Sequence, residues 1–302
     1  MAFDNLDTID NAANVVLIAQ NPKSGASNRG KLVEQLGRRL QDSDLVVEII
    51  QDIDELTQKT ADYLAKKELR CVVAAGGDGT VSLLVNRLPP ETPFFVFPLG
   101  TANLLAKFLK TNLSLSRATH CILNGKTIRL DIGKANDQLF VVVASCGYDA
   151  DVVHRLHTAR KGHINYASYL LPVARSIFGY SFPKMRLLAD GQLISQPKWA
   201  FVFNIPKYAV GLQFCPNADP QDEKLDVCSF AGGGFWKGLG YFFSVLFRQH
   251  HRLNSCNFHQ FRKLEIQSES DQPVPLELDG DPAGFTPVTI EVLSDRLRVL
   301  VD

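Results

Sequence analysis

The sequence predicts two domains, an α/β domain with a parallel sheet followed by a mostly β domain. Up to residue 130, short apolar runs alternate with segments of helical apolar spacing, which is typical of strands covered by helices. After about Ile128, short apolar runs follow one another with turn residues between them. A chain of 302 residues is long enough for each domain to bury a core. We place the first domain at 12–130 and the second at 131–302.

In the first domain, one-sided helices are expected between buried strands. Leu32, Leu36 and Leu40 recur every fourth residue, as on one face of a helix. A second helix is expected from the spacing of Val81, Leu84, Val85 and Leu88. The expected strands are Asn14–Gln20, Leu45–Ile50, Arg70–Ala75 and Pro93–Phe97.

In the second domain, two helical stretches interrupt a series of strands. The helices are expected at Ile164–Phe178 and Phe235–Phe247. No internal repeat is present, which argues against solenoids and propellers. The expected strands are Ile128–Gly133, Leu139–Ser145, Met185–Ala189, Trp199–Ile205, Leu225–Phe230, Leu264–Ser268 and Val288–Leu293.

Composition narrows the class of protein. Lys and Arg together number 32, as do Asp and Glu, so no overall charge excess points to a nucleic-acid partner. The six cysteines lack CxxC spacing, which indicates reduced, buried thiols. No apolar run approaches the roughly 20 residues of a membrane-spanning helix. The first ten residues are acidic and not basic, unlike a secretory signal, so we expect a cytoplasmic protein that touches membranes only from one side.

A glycine-rich loop follows the third expected strand. It reads Gly76-Gly77-Asp78-Gly79-Thr80 and joins an apolar strand to a helix. Successive glycines let main-chain N–H groups approach a polyphosphate, and the helix adds its positive N-terminal end. Asp78 would repel phosphate, so we expect it to bind Mg²⁺ or to orient the loop. A structural turn with a capping residue is the alternative.

Two further loops occupy the same kind of position. Asn21-Pro22-Lys23-Ser24-Gly25 follows the first expected strand, and Pro98-Leu99-Gly100-Thr101-Ala102-Asn103 follows the fourth. The carboxyl ends of strands in an open α/β sheet are where ligands bind. Taken together, the three loops predict one phosphate-binding edge, to which Ser24, Gly25 and the amide of Asn21 add donors. The nucleotide-binding residues expected on the two further loops are Asn21, Pro22, Lys23, Ser24 and Gly25, and Gly100, Thr101 and Asn103.

These loops resemble those of the diacylglycerol kinase catalytic-domain family, which includes bacterial diacylglycerol kinases and sphingosine kinases. The resemblance spans nearly the whole chain and adds a late turn, Leu278-Asp279-Gly280-Asp281. It implies a nucleotide-binding N-terminal domain, a C-terminal β-sandwich, and ATP in the cleft between them. It also implies transfer of the γ-phosphoryl group to the hydroxyl of a diacylglycerol-like or related lipid at a membrane surface.

The late turn supplies two carboxylates. Phosphoryl transfer to an alcohol needs a base for the hydroxyl proton. Alone, Asp279-Gly280 would be an ordinary hairpin turn. The resemblance implies that Asp279 and Asp281 are the base and its magnesium-linked neighbour. Asp281 stands where the family usually has Glu, so which acid is the base stays open.

A second acidic stretch, Asp219 to Asp226, has the oxygen ligands that Mg²⁺ prefers. The resemblance implies that Asp222 binds the ion by its side chain, and Asp219 and Lys224 by their carbonyl groups. Glu223 stands where the family prefers Gly. A solvated acidic loop is the alternative.

The helix after the glycine loop continues with Val81 and Ser82, which the resemblance places beside the nucleotide. Asn-Glu is commoner than the Ser82-Leu83 found here. Gln51 replaces a frequent nucleotide-contacting Thr, and Leu104 replaces an Asp found in many members.

Aromatic residues crowd two regions of the second domain. The stretch Phe235–Phe247, followed by Arg248, His250, His251 and Arg252, fits either a membrane-surface helix or a helix packed on the β domain. Aromatic side chains between 166 and 182 could wall an acyl pocket or simply form core. These are Tyr166, Tyr169, Phe178, Tyr180 and Phe182.

Three alternatives or unknowns remain at the level of the sequence. NAD kinase shares the Gly-Gly-Asp-Gly-Thr loop, but no second Thr-Gly-Ser-Thr-like element occurs in the C-terminal half. A catalytically inactive lipid-binding module would explain Asp281 and Ser82-Leu83, although Asp78, Thr80 and Thr101 are retained. A homodimer is left open.

Overall fold

The computed structural model describes residues 6–9, 12–20, 27–158, 180–208 and 211–302. The chain divides into two compact units. The first comprises Met1–Asp131 and Ser294–Asp302, and the second comprises Ile132–Leu293. The end of the chain thus returns to the first unit, an addition to the continuous 12–130 domain expected from the sequence.

The first unit is built on a parallel sheet, whose strands are, in spatial order, β17 (Val288–Val301), β5 (Pro93–Pro98), β4 (Leu69–Gly76), β2 (Val15–Gln20) and β3 (Val46–Ile50). The central strand β4 is buried along its whole length, as an apolar run with helices on both faces requires. Two helices begin with capping side chains: Asp52 accepts from the N–H of Glu55, and Ser114 accepts from that of Arg117. The elements are β1 Asp7–Thr8, β2 Val15–Gln20, α1 Ser27–Gln41, β3 Val46–Ile50, α2 Ile53–Ala65, β4 Leu69–Gly76, α3 Asp78–Arg87, β5 Pro93–Pro98, α4 Leu104–Phe108, α5 Leu115–Asn124 and β6 Lys126–Ala135.

The last strand, β17 (Val288–Val301), begins in the second unit and ends in the first. Its final part pairs in parallel with β5, where Arg298 lies opposite Pro93. The strand expected from the sequence ended at Leu293. The observed strand is longer because Leu297 and Leu300 are buried in the first unit, a tertiary contact that local pattern does not carry.

The second unit is a sandwich of two antiparallel sheets. One has the order β13, β12, β11, β8, β15, β16, and the other the order β10, β9, β14, β17. Apolar side chains from both sheets form one core, including Met185, Ile266 and Leu276. The elements are β7 Gln138–Phe140, β8 Val143–Gly147, α6 Tyr148–Thr158, β9 Met185–Ala189, β10 Gln192–Ser195, β11 Trp199–Phe203, β12 Leu225–Phe230, α7 Phe235–Leu246, β13 Cys256–Phe261, β14 Lys263–Ser268, β15 Pro275–Leu278 and β16 Asp281–Phe285.

The predicted fold class, a parallel α/β domain followed by a β-sandwich, is confirmed. The expected helix Ile164–Phe178 lies outside the described residues. Strand β13 was missed because its four central residues are exposed and mostly polar. No helix in the part of the chain that the structure describes is both long and apolar enough to cross a membrane.

Candidate functional site

Three strands of the first unit end side by side. In the parallel register, Gln20 of β2 lies opposite Ala75, and Gly76 of β4 lies opposite Pro98 of β5. The loops that leave β4 and β5 therefore start next to each other. The predicted loop Asn21–Gly25 follows Gln20 directly in the sequence, but it lies outside the described residues.

The glycine-rich loop forms the transition from β4 to α3. Strand β4 ends at Gly76, Gly77 is the N-terminal cap, and α3 begins at Asp78. The carbonyl of Gly77 accepts hydrogen bonds from the N–H groups of Thr80 and Val81, at 3.0 and 3.2 Å. Because a glycine cap has no side chain, it satisfies none of the first N–H groups of α3. The loop thus ends at a helix N-terminus that favours anions.

The loops after β4 and β5 pack main chain against main chain. The carbonyl of Gly76 accepts from the N–H groups of Leu99 (2.8 Å) and Gly100 (3.2 Å). A Cβ placed on Gly77 would lie 3.0 Å from the Cα of Gly100, and a Cβ on Gly100 would overlap the Cα of Gly77. Both glycines are therefore required by close approach of the two chains.

Asn103 shapes the loop in which it lies. Its backbone is in the left-handed region, with φ of 48°. Its side-chain Oδ1 accepts from the N–H of Gly100 at 3.0 Å, and its Nδ2 donates to the carbonyl of Gly100 at 2.9 Å. Asn103 thus bridges its own turn, while Thr101 is exposed at the tip.

Asp78 connects the glycine loop to α4. Its Oδ1 accepts from the N–H of Leu105 at 3.3 Å, near the start of that helix. Burial raises the pKa of Asp78, and main-chain hydrogen bonds from Leu105 and Leu104 oppose the rise. Of the two roles expected for Asp78, orienting the loop is the one for which the structure has a contact.

The residues after Asp78 face the interior to different degrees. Val81 is 3% exposed, so its side chain belongs to the core of the first unit. Thr80 is buried, and its side chain fills the space that a Cβ on Gly76 would need. Gly79 is exposed and Ser82 half-buried, so both can meet a ligand at the surface.

In the second unit, the Asp279-Gly280 turn joins β15 to β16. Both residues have positive φ, 51° and 91°, as a type I′ hairpin turn requires. The carboxylate of Asp279 accepts three main-chain hydrogen bonds, from the N–H of Val141 (2.8 Å), Val142 (2.8 Å) and Val143 (3.0 Å). This carboxylate is thus committed to holding the turn against the segment before β8.

Asp281 has a different environment. It is the first residue of β16, pairs with Leu278 and is exposed. Of the two acids predicted for catalysis, it is the one whose side chain is open to solvent.

A third carboxylate stands beside the turn. Glu277 is fully buried, and its Oε2 accepts from the N–H of Gly280 at 2.8 Å. Burial, together with the nearby charge of Asp149, raises the pKa of Glu277 well above its usual range. Asp149 accepts from the hydroxyls of Ser145 (3.0 Å) and Tyr208 (2.8 Å), and burial raises its pKa too. Neither acid is marked by a sequence motif, and the only signal is a Glu between two leucines in a short strand.

The acidic loop before β12 is internally hydrogen-bonded. Asp222 accepts from the N–H of Lys224 (3.0 Å) and from the Gln260 amide (3.2 Å), and Asp219 accepts from the N–H of Gln221 (3.2 Å). Burial, helped by the charges of Asp222 and Asp219, raises the pKa of Asp226 to about 6. Oxygen-rich chemistry of this kind suits Mg²⁺, and a cation would relieve the repulsion. Within the described ranges, however, no three His, Cys, Asp or Glu side chains are arranged to hold a metal ion.

Aromatic residues at the edge of the other predicted region are packed. Phe182 is buried and stacks on Tyr148, with ring centroids 5.5 Å apart, and on Trp199 at 5.8 Å. Tyr180 contacts Phe182 edge-on. These two residues thus belong to an aromatic cluster, whereas Tyr166, Tyr169 and Phe178 lie outside the described residues.

Comparisons with known proteins agree with this architecture. Residues 15–135 match the family model of the diacylglycerol kinase catalytic domain, and residues 142–301 match the YegS C-terminal NAD kinase beta sandwich-like domain. Together the two matches cover nearly all of both units.

Individual relatives are distant. The chain is 22% identical over 253 residues to a diacylglycerol kinase of Staphylococcus carnosus, covering 80% of this chain and 82% of that protein. It is 27% identical over 238 residues to a diacylglycerol kinase of Mycobacterium tuberculosis, covering 76% of each. A crystal structure of a diacylglycerol kinase from Bacillus anthracis has the same fold, with a TM-score of 0.68, 19% identity, and coverage of 96% of this chain and 97% of that one. The chain belongs to the diacylglycerol kinase catalytic-domain family.

Proposed function

We propose that this protein is an ATP-dependent lipid kinase, which transfers the γ-phosphoryl group of ATP to a hydroxyl of a diacylglycerol-like or related lipid. One observation carries the proposal: two glycine loops pack main chain against main chain at adjacent strand ends, beside the N-terminus of α3. Where two main chains approach without side chains beside a helix N-terminus, main-chain N–H groups can face an anion, which suits a polyphosphate.

The nucleotide is assigned to the first unit. Exposed Gly79 and half-buried Ser82 lie in the first turns of α3, and exposed Thr101 lies on the loop after β5. Gly77 and Gly100 contribute by allowing the loops to approach, and Gly76 leaves room for the side chain of Thr80. Asp78, Thr80 and Asn103 contribute by fixing the shape of the loops. The loop from Asn21 to Gly25 is assigned to the same phosphates because β2 ends beside β4.

The acceptor chemistry is assigned to the turn of the second unit. The lipid hydroxyl oxygen forms a bond to the γ-phosphorus, the bond from that phosphorus to the β,γ-bridging oxygen breaks, and the hydroxyl proton passes to a carboxylate. We assign the proton to Asp281, because the Asp279 carboxylate already accepts three N–H groups. Asp279 then positions the turn on which Asp281 stands.

Magnesium is part of the proposal. Mg²⁺ would neutralise phosphate charge during transfer, and in the acidic loop Asp222, with carbonyls of Asp219 and Lys224, would hold a structural ion. Addition of about 10 mM Mg²⁺ should then raise the melting temperature of the wild type and not of Asp222→Asn. An equal rise in the melting temperature of both proteins would show that Mg²⁺ does not bind through Asp222 in this loop.

The experiment that tests the function is an acceptor panel. Purified protein is given γ-labelled ATP with diacylglycerol, ceramide, sphingosine or phosphatidylglycerol in mixed micelles, and with NAD in a separate reaction. We expect label in a lipid and none in NAD. Label in NAD alone would establish the NAD kinase alternative, and no label in any acceptor would favour the inactive lipid-binding module.

Because the acceptor is a lipid, we expect cytoplasmic protein to associate transiently with a membrane surface. Diacylglycerol carries two acyl chains and partitions into bilayers, so the enzyme must reach it there.

A further inference from the structure

Helix α7 carries an exposed face of large apolar side chains. At 100° per residue, these side chains fall in a sector about 140° wide. Trp236 is 79% exposed and Phe247, at the C-terminal cap, is 67% exposed. We call this set the aromatic face: Trp236, Leu239, Phe242, Phe243, Leu246 and Phe247.

The opposite face of α7 is already packed. Tyr241 and Val245, one helical turn apart, are buried, and the ring of Tyr241 lies 4.6 Å from that of Phe230 on the sheet below. The N–H of Gly232 donates to the Tyr241 hydroxyl at 2.9 Å. The orientation of α7 is therefore fixed by Tyr241 and Val245. Helix α7 is thus packed on the β domain through Tyr241 and Val245, which agrees with one of the two expectations from the sequence, and the aromatic face stays exposed within the part of the chain that the structure describes.

A face of this size needs an explanation. Single exposed apolar residues are normal on protein surfaces, but a contiguous set of six large ones marks an interaction site. The rings contact one another, with Phe243 stacked on Phe247 at 6.4 Å between centroids. The side chains therefore form one continuous patch.

The segment of the sequence that contains the aromatic face carries charges of one sign. The sequence from Val227 to Leu264 contains no Asp or Glu, whereas it contains five Lys and Arg residues. Two of these cations, Arg248 and Arg252, are exposed just after the C-terminal end of α7, next to Phe247 of the aromatic face. Long cationic side chains at the rim of an apolar patch can reach anionic headgroups.

These charges argue against a second copy of this chain as the partner. In a twofold dimer the same patch would face itself, which would bring together two rims of the same charge sign. A bilayer with anionic lipids offers an apolar layer to the rings and opposite charge to the rim.

We infer that the aromatic face of α7 inserts into the boundary between headgroups and acyl chains of an anionic lipid bilayer, with Arg248 and Arg252 on the headgroups. This inference rests on the proposed function only for the purpose of the membrane contact, because a kinase whose acceptor is a membrane lipid has to reach the bilayer. The surface itself is defined without reference to the nucleotide or the acidic turn.

The binding test uses vesicles and no ATP. Full-length protein is sedimented with vesicles of phosphatidylcholine containing about 30% phosphatidylglycerol, and with phosphatidylcholine alone. We expect binding to the anionic vesicles, and a loss of at least about tenfold in partition for the double variant Trp236→Gln and Phe243→Gln. The matched control is Leu193→Gln, which replaces an equally apolar, 50% exposed residue of β10 and should bind as the wild type does.

A fluorescence measurement gives an independent readout. Trp236 is one of only two tryptophans, so its insertion should shift the emission to the blue and make it sensitive to quenchers in the acyl region.

The double variant Arg248→Ala and Arg252→Ala should weaken binding to anionic vesicles and leave weak binding to neutral vesicles unchanged. Circular dichroism spectra matching the wild type show that the variants are folded.

Several outcomes would overturn the inference. One is wild-type protein that does not sediment with anionic vesicles, and another is a double variant that binds as tightly as the wild type. A concentration-dependent dimer that the double variant abolishes, with no vesicle binding, would assign the aromatic face to a second copy.

Vesicle binding with no kinase activity on any lipid would leave this inference intact and defeat the proposed function. Kinase activity in detergent micelles without vesicle binding would support the proposed function and overturn this inference.

Discussion

The loop Gly76–Thr80 and the turn Leu278–Asp281 both contain glycine and aspartate, but different forces hold them in place. The loop of the first unit depends on the absence of side chains, because Gly77 and Gly100 approach main chain to main chain. The turn of the second unit depends on side chains, since Asp279 accepts three N–H groups and Glu277 accepts a fourth.

This difference shows how to separate structural from chemical roles. In the glycine loop, a substitution that adds atoms should damage function directly. In the acidic turn, a carboxylate that matches a catalytic motif can be a structural anchor. Loss of activity on its removal would not identify it as the base, so stability must be measured beside activity.

The largest effect is expected for Gly100→Ala. Its Cβ would overlap the Cα of Gly77, and neither main chain can yield without moving a strand end. We expect ATP affinity to fall at least about 100-fold, or about 2.7 kcal/mol, measured by titration calorimetry with a non-hydrolysable analogue. Gly37→Ala is the matched control. Gly37 lies in α1, and its added Cβ would be 3.6 Å from the side chain of Ile49, an ordinary van der Waals distance. The affinity for ATP should therefore not change.

The next effect is on stability and concerns the acidic turn. Asp279→Asn replaces one acceptor oxygen by a donor that faces a main-chain N–H. We expect a loss of about 2 kcal/mol in the unfolding free energy, measured with urea, because hydrogen bonds to a charged group are the stronger ones. Asp281→Asn should cost less than about 0.5 kcal/mol, since its side chain is exposed. Equal losses in the two variants would contradict the separation of roles.

A smaller, pH-dependent effect is expected for Glu277→Gln. Because burial raises the folded-state pKa of Glu277 above its usual 4.5, folded protein holds a proton that unfolded protein releases. Wild-type stability should therefore fall as pH rises above about 4.5, while the Gln variant lacks this term. The stability difference between variant and wild type should move in favour of Gln between pH 5 and 8, by about 1 kcal/mol or more.

The control for that comparison is Glu269→Gln, which removes the same charge from an exposed position. Its stability difference from the wild type should stay flat with pH. If Glu277→Gln gave an equally flat profile, the buried carboxyl would not be the source of the pH dependence.

The smallest effect is a gain. Gly37 lies inside α1, where glycine is a poor helix former and space for a methyl group exists. Gly37→Ala should stabilise the protein by about 0.5–1 kcal/mol in the same urea experiment. A loss of stability would show that the contact with Ile49 is tighter than its distance indicates.

The parts that the sequence predicted well are local. The Gly76–Thr80 loop, the strand before it and the helix after it are adjacent in the chain, so apolar pattern and glycine chemistry were enough to place them. The two-domain plan followed from the change in pattern near Ile128.

The parts that the sequence did not predict depend on distant contacts. The N–H groups that Asp279 binds come from Val141–Val143, more than 130 residues earlier. Burial of Glu277 depends on its strand lying inside a sheet. The sequence of α7 fitted either a membrane-surface helix or a helix packed on the β domain, and only the burial of Tyr241 and Val245 shows which face is covered.

The most direct test of the account separates nucleotide binding from transfer in Asp281→Asn. Binding of an ATP analogue is measured by calorimetry, and phosphoryl transfer to the preferred lipid is measured in a single turnover with γ-labelled ATP. We expect affinity within about twofold of the wild type and a transfer rate lower by at least about 100-fold, as loss of a general base predicts. Transfer at the wild-type rate, with Asp279→Asn folded but inactive, would contradict the assignment and return the base to Asp279.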